Sequence, residues 1–170
     1  MNNIINSNKK PIKVLFVCLG NICRSPSAHG IMEHLLLSNG WDDDILVDSA
    51  GTYSGHAGSL PDSRMRKAAI ARGYTLTHRS RGVRSVDFEE FDIIIGMDNE
   101  NIRNLKAMAN NCEEMDKIIP MAKFISNNPN YDYIPDPYYE GREGFELVLD
   151  LLENACGNLL ECIKKNTVFK

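Results

Sequence analysis

The apolar positions of this chain change period several times between Pro11 and Lys164, and each change predicts an element. Ile12 to Cys18 is apolar apart from Lys13 and rich in β-branched residues, the pattern of a parallel strand covered on both faces. It runs into Gly20-Asn21, a turn signal. Ser25-Pro26 then sets a capping hydroxyl before a proline at a first helical position, and Ala28, Ile31, Met32, Leu35 and Leu36 recur at helical spacing. The alternation continues with a strand over Ile45 to Val47, a helix from Asp62 or Ser63 to Arg72 closed by Gly73, and a strand over Phe91 to Met97. Asp98 stands where it can cap the next helix. A short fourth strand at Lys117 to Pro120 and a long helix from about Glu143 to Lys164 complete the series. Strands alternating with helices predict an α/β fold, a parallel four-stranded sheet with helices on both faces. Residues 1–10, rich in Asn, Ser and Lys, predict a flexible tail before a single domain over residues 11–170. Ser126 to Gly141 holds three prolines and four tyrosines without periodicity, and predicts a long functional loop.

Composition narrows the classes. A chain of 170 residues suits one domain with its own core. A formal charge of -4, from 19 basic and 23 acidic side chains, argues against coating nucleic acid or an anionic membrane. Val14 to Leu19 and Ile93 to Ile95 are strand-sized, far short of the roughly 20 apolar residues of a membrane span. Met1 to Lys10 lacks the apolar stretch of a signal peptide, which predicts a cytoplasmic protein. Cys18, Cys23, Cys112, Cys156 and Cys162 make an odd set of five, read as thiols in a reducing compartment.

The chemistry concentrates in Cys18-Leu19-Gly20-Asn21-Ile22-Cys23-Arg24-Ser25, between the first strand and the first helix. In such a turn backbone N–H groups can form an anion nest, and the helix adds the positive end of its dipole. Gly20 is expected to supply backbone angles that other residues resist. The field that binds phosphate also stabilises a thiolate, so Cys18 is the candidate nucleophile. Arg24 is the candidate clamp for two phosphoryl oxygens, and Ser25 a hydrogen-bond donor to the sulfur. A cysteine followed six residues later by arginine arises by chance in roughly one chain in four of this composition, so the surrounding strand, glycine and Ser-Pro carry the reading. A tyrosine leaving group, whose pKa is about 10, needs a proton donor. Asp136, between Pro135 and Pro137, is the candidate, although by spacing alone an Asp beside prolines is more often a solvated turn residue.

Val17 to Pro26 read Val-Cys-x-Gly-Asn-x-Cys-Arg-Ser-Pro, and here the sequence resembles the low-molecular-weight protein tyrosine phosphatases. The likeness extends through Asp48-Ser49-Ala50-Gly51, Pro61-Asp62, His78 to Arg81, Asp87-Phe88, Phe91-Asp92, Met97-Asp98 and Asp136-Pro137-Tyr138, nearly the whole chain from Pro11. The resemblance implies a doubly wound sheet and phosphotyrosine hydrolysis through a phosphocysteine on Cys18. Arg24 would bind phosphate, and Asp136 would act as general acid and then base. It further implies that Leu19, Gly20, Asn21, Ile22, Cys23 and Ser25 bind phosphate or shape the loop, with Ser49 and His78 supporting it. Cys23 would trap an oxidised Cys18 as a reversible disulfide.

The chain departs from the family at the mouth of the site. A Gly-x-Trp-His-like segment is replaced by Ser54-Gly55-His56, and Tyr53, Tyr138 and Tyr139 become the candidate contacts to the substrate ring. Expected partners are phosphotyrosine proteins and small aryl phosphates, with inorganic phosphate or other oxyanions as inhibitors, and neither nucleic acid nor membrane. No cofactor or metal is implied, since His29 and His34 are five apart, off the spacing of a helical metal pair. Three alternatives differ by particular residues. An arsenate reductase would need two relay cysteines, which are missing between Cys23 and Cys112. A phosphoarginine phosphatase would carry threonine where Ile22 stands. A non-catalytic phosphate-binding module would lack one of Cys18, Arg24 and Asp136.

Overall fold

The computed structural model describes residues 9–170. The expected tail lies outside the described residues except for Lys9 and Lys10, which are exposed. Four parallel strands form one sheet: β1 (Ile12–Cys18), β2 (Ile45–Gly51), β3 (Ile93–Gly96) and β4 (Ile118–Pro120), in the order β2-β1-β3-β4. The winding reverses at β1, which pairs with β2 along one edge and β3 along the other. In such sheets the crevice beyond the carboxyl ends of the strands, at the reversal, is where ligands bind.

β1 reads as a continuous apolar run because both of its faces are covered. Val14, Phe16 and Cys18 join one core with α1 (Arg24–Asn39), α2 (Ser63–Ile70) and α6 (Arg142–Lys164). Leu15 and Val17 join a second core on the opposite face with Phe88 of α3 (Asp87–Glu90) and Leu105 of α4 (Asn99–Met108). Each fully buried large side chain contributes about 1.5–3 kcal/mol, so these layers hold the sheet rigid beneath the loops at its carboxyl edge.

Several boundaries differ from those expected. α1 begins at Arg24, not after a Ser25 cap, and Cys23 at its N-cap makes no side-chain bond there. Pro26 is still harmless, because the first helical N–H groups have no intrahelical partner. β2 runs on to Gly51, since the polar Asp48-Ser49 pair that interrupts the apolar pattern still pairs with Leu15 and Phe16. β3 is shorter than expected because Phe91 closes α3 and Asp92 receives the Lys13 N–H. The short helices α3 and α5 (Cys112–Asp116) carry too few apolar residues to show a period. Asp62 caps α2, and Asp98 forms a capping box with Asn101 at α4. Residues 126–141 form no regular element. Ile134, wholly buried, anchors them through its N–H to the Met97 carbonyl, 2.8 Å away.

Candidate active site

Cys18 is the last residue of β1, so its thiol sits at the carboxyl edge of the sheet where the winding reverses. The loop that follows is held from outside by its carbonyls. Those of Cys18 and Leu19 accept from Thr52 and Tyr53 N–H at 3.0 and 2.8 Å, and that of Ile22 accepts from Asp62 N–H at 2.8 Å. Ser80 Oγ donates to Gly20 at 2.9 Å and Ser27 Oγ to Cys23 at 2.6 Å. In a planar trans peptide the next N–H points the opposite way, so the N–H groups of Leu19, Gly20, Asn21, Cys23 and Arg24 point away from these partners. Together with the first turn of α1 they make a concave site for an anion.

The unusual backbone angle falls on Asn21, with φ 56°, and not on Gly20, whose φ is outside the left-handed region. Asparagine tolerates this conformation better than most residues. Gly20 matters for space instead: a Cβ there would stand 3.0 Å from the His56 ring. Gly51, paired with Cys18, is tighter still, since a Cβ would meet the Leu19 carbonyl at 2.6 Å.

Behind the loop, Asn21 is wholly buried and both ends of its amide are bonded. Its Nδ2 donates to Ser25 Oγ at 2.8 Å, while Oδ1 accepts from Arg81 N–H at 3.1 Å and lies 3.2 Å from His78 Nε2. Ser25 Oγ lies 3.0 Å from Cys18 Sγ and 3.3 Å from the Ala50 carbonyl. Ser25 Oγ accepts from Asn21, and its one proton can go to the Ala50 carbonyl or, when Cys18 is a thiolate, to the nearer sulfur. Ser49 does not touch the loop; it bonds His29 Nδ1 at 3.1 Å, and His29 packs on His78 with ring centroids 4.9 Å apart. Burial, then the facing His29, lowers the His78 pKa below the usual histidine value. Arg81 ties Asp48 and the buried Asp87 into the same support.

Arg24 is 3% exposed and its Nη1 donates to Asp98 Oδ2 at 2.6 Å and to the Ile134 carbonyl at 3.0 Å. Burial opposes its charge, but Cys18, Asp98 and Asp136 outweigh that and raise its pKa further. Its Nη2 stands 3.7 Å from Asp136 Oδ2. Asp136 itself is half exposed and accepts the Tyr138 N–H at 3.1 Å, the turn expected between its flanking prolines. Cys23 is buried; burial first, then the negative groups Asp62, Cys18 and Asp136, pushes its thiol pKa well up.

One cavity of about 250 Å³ brings together Cys18, Arg24 and Asp136 with Leu19, Gly20, Ile22 and Cys23. Tyr53, Tyr138, Tyr139 and His56 form its walls. The loop-supporting Asn21, Ser25, Ser49 and His78 lie outside it. The Tyr53 phenol fills the space that a side chain at position 55 would take, since a Cβ on Gly55 would lie 2.1 Å from the Tyr53 hydroxyl. An aromatic thus stands at this wall although position 55 is glycine. Tyr53 and His56 meet edge to face at 6.1 Å, as do Tyr138 and Tyr139 at 5.0 Å.

Asp98, His29, Ser80 and Arg81 join the site without a signal in the sequence that marks them for it. Asp98 was read only as a helix cap, and its second role joins positions 74 residues apart, a contact with no local sequence signal.

A family model described as low molecular weight phosphotyrosine protein phosphatase matches residues 13–168. The chain is 38% identical to a low molecular weight protein-tyrosine-phosphatase of Bacillus subtilis over 91% of this chain and 97% of that one. A solved protein tyrosine phosphatase of Entamoeba histolytica, with Hepes in its active site, superposes with a TM-score of 0.89 at 42% identity, covering 92% and 99% of the two chains. A solved Drosophila arginine phosphatase superposes with a TM-score of 0.83 at 34% identity, covering 90% and 98%.

Proposed function

Because the chain belongs to the low molecular weight phosphotyrosine protein phosphatases, we propose that it hydrolyses phosphotyrosine in proteins through a phosphocysteine on Cys18. The observation that carries this reading is the cavity in which a thiol, the loop from Leu19 to Cys23, a guanidinium and a half-exposed carboxylate converge between tyrosine walls.

The phosphoryl group enters the loop with its oxygens on the N–H groups and on Arg24, which Asp98 and Ile134 hold by one edge. Cys18 Sγ attacks phosphorus as a thiolate, and the bond to the tyrosine oxygen breaks as Asp136 gives that oxygen its proton. Asp136, now a carboxylate, takes a proton from water as that water attacks the phosphocysteine. The S–P bond breaks, phosphate leaves, and Ser25 stabilises the returning thiolate. Charge stabilisation by fixed donors is the main source of rate in such a site. Product phosphate and other oxyanions then compete for the same donors, and the Hepes-bound relative supports that expectation. Small aryl phosphates are expected to enter the same cavity. Under peroxide, a Cys18 sulfenic acid would condense with the Cys23 thiol to a disulfide and water, a step slowed by the raised pKa of Cys23. No described helix is long and apolar enough to cross a membrane, and a cytoplasmic setting would keep both thiols reduced.

Likeness to the Drosophila arginine phosphatase makes phosphoarginine the alternative substrate for this chain, against which Ile22 in the cavity wall argues. Hydrolysis of phosphotyrosine, phosphoserine and phosphoarginine peptides is to be compared in wild type, Cys18→Ser and Asp136→Ala. Phosphotyrosine turnover that vanishes with Cys18→Ser is expected. Full activity of Cys18→Ser would end the cysteine mechanism, and preferential phosphoarginine turnover would reassign the substrate.

A further inference from the structure

His29, on α1, and Asp48, on β2, stand beside His78, which follows α2, in the support behind the phosphate loop. Among the described residues they form the one cluster of three metal-ligating side chains, with ligand atoms all within 4.8 Å of one another. The hydrogen bonds orient both imidazoles alike. His29 Nε2 lies 2.6 Å from Glu33 Oε1, and His78 Nε2 lies 3.2 Å from Asn21 Oδ1, which also accepts the Arg81 N–H. Both outer nitrogens face acceptors and can carry the proton; the inner Nδ1 of His29 then accepts from Ser49 Oγ at 3.1 Å and that of His78 faces the Asp48 carboxylate, so a bound ion takes the place of the Ser49 bond and of any proton held between His78 and Asp48. A ligating histidine that donates its other N–H to a carboxylate or carbonyl is the usual support of a metal centre.

His78 Nδ1 is 3.5 Å from Asp48 Oδ1. Ligands about 2.0–2.1 Å from a tetrahedral zinc ion stand about 3.4 Å apart, so this edge is already formed, and shifts of ~1 Å bring in the third ligand. Arg81 holds the other Asp48 oxygen, and its charge is shared with the buried Asp87. Glu33 adds a second negative charge beside His29. His29 and His78 also line a cavity of about 220 Å³ with Glu33, Thr75 and Thr77, which gives a hydrated ion a way in.

We infer that His29, Asp48 and His78 bind one divalent zinc ion behind the phosphate loop, with Glu33 and Asn21 as the groups that orient the two imidazoles. Two imidazoles and one carboxylate suit zinc among common ions, and the fourth position is left to water. Loading fixes His78 as a donor to Asn21, the left-handed residue of the phosphate loop, so the ion stiffens the loop from behind without entering the reaction. The assignment does not depend on which phosphoester the enzyme takes.

The test is titration of the Cys18→Ser protein with Zn²⁺ and with Co²⁺, reading heat, cobalt absorption and thermal midpoint. One equivalent is expected to bind with the visible bands of a nitrogen and oxygen site and no thiolate charge-transfer band, and to raise the midpoint. His29→Ala is expected to abolish binding and the midpoint rise, with the circular dichroism spectrum checking its fold. Glu33→Gln, which leaves every ligand in place, is expected to weaken binding about 10–100-fold and decides the matter if His29→Ala does not fold. A thiolate band, binding unchanged in these variants, or no binding at all would overturn the assignment.

Discussion

The two loops that build the candidate active site are held in opposite ways. Between Cys18 and Ser25 the carbonyls are tied from outside, Asn21 is wholly buried with both ends of its amide bonded, and Gly51 lets β2 press against the turn. Around Asp136 the chain is anchored by Ile134, while Asp136 is half exposed and Tyr139 is 93% exposed. The difference follows from the work assigned to each. A ring of donors stabilises a developing charge only if it does not reorganise, whereas an acid that later serves as base must meet first the leaving group and then water. Defects in the first loop should therefore lower stability and rate together, and defects in the second should lower rate alone.

The largest expected effect is that of Cys18→Ser, which should cut phosphotyrosine turnover by roughly a millionfold, on the scale of losing a nucleophile, in a steady-state assay. Asp136→Asn should cost about 10²–10⁴ in kcat, and denaturant unfolding should find it within about 0.5 kcal/mol of wild type. Loss of stability in that variant would break the comparison. Asn21→Ala should destabilise by about 2–4 kcal/mol, from buried groups left unpaired and a left-handed residue made alanine, and should lower kcat as well. Asn21→Gly should recover the conformational share of stability but not the rate.

A smaller effect is expected from pH. Asp87 is buried, which alone would raise its pKa, but hydrogen bonds from Arg81 and Arg84 hold it below the ordinary 3.8. A depressed folded pKa gives stability that is present above about pH 4 and lost as pH falls through the folded value. Thermal midpoints should therefore drop in that acid range, and Asp87→Asn should flatten the drop. The smallest effect is that of Tyr139→Ala, about 0.5–1.5 kcal/mol in kcat/KM for phosphotyrosine peptides with no change in stability.

The legibility of the two regions differs for the same reason. β1, the loop and α1 are contiguous, so an apolar run, a cysteine and arginine six apart, and a helical period all fall within about two dozen residues. Asp136 showed only a pair of prolines, and its place over the loop depends on Ile134 reaching Met97 across the fold. The left-handed angle expected of Gly20 is borne by Asn21, because composition does not say which of two adjacent turn residues goes left-handed. In sequence His29 stands nearest His34, while the fold brings it to His78. Asp98 caps a helix and also pins Arg24, and only the first role has a local pattern.

The division of labour between the loops is tested most directly by a series of aryl phosphates whose phenols span several units of pKa, hydrolysed by wild type and by Asp136→Asn. With an acid protonating the leaving oxygen, wild-type kcat/KM should change little along the series, while that of Asp136→Asn should fall steeply as the phenol becomes more basic. Parallel dependences in the two proteins would contradict Asp136 as the proton donor.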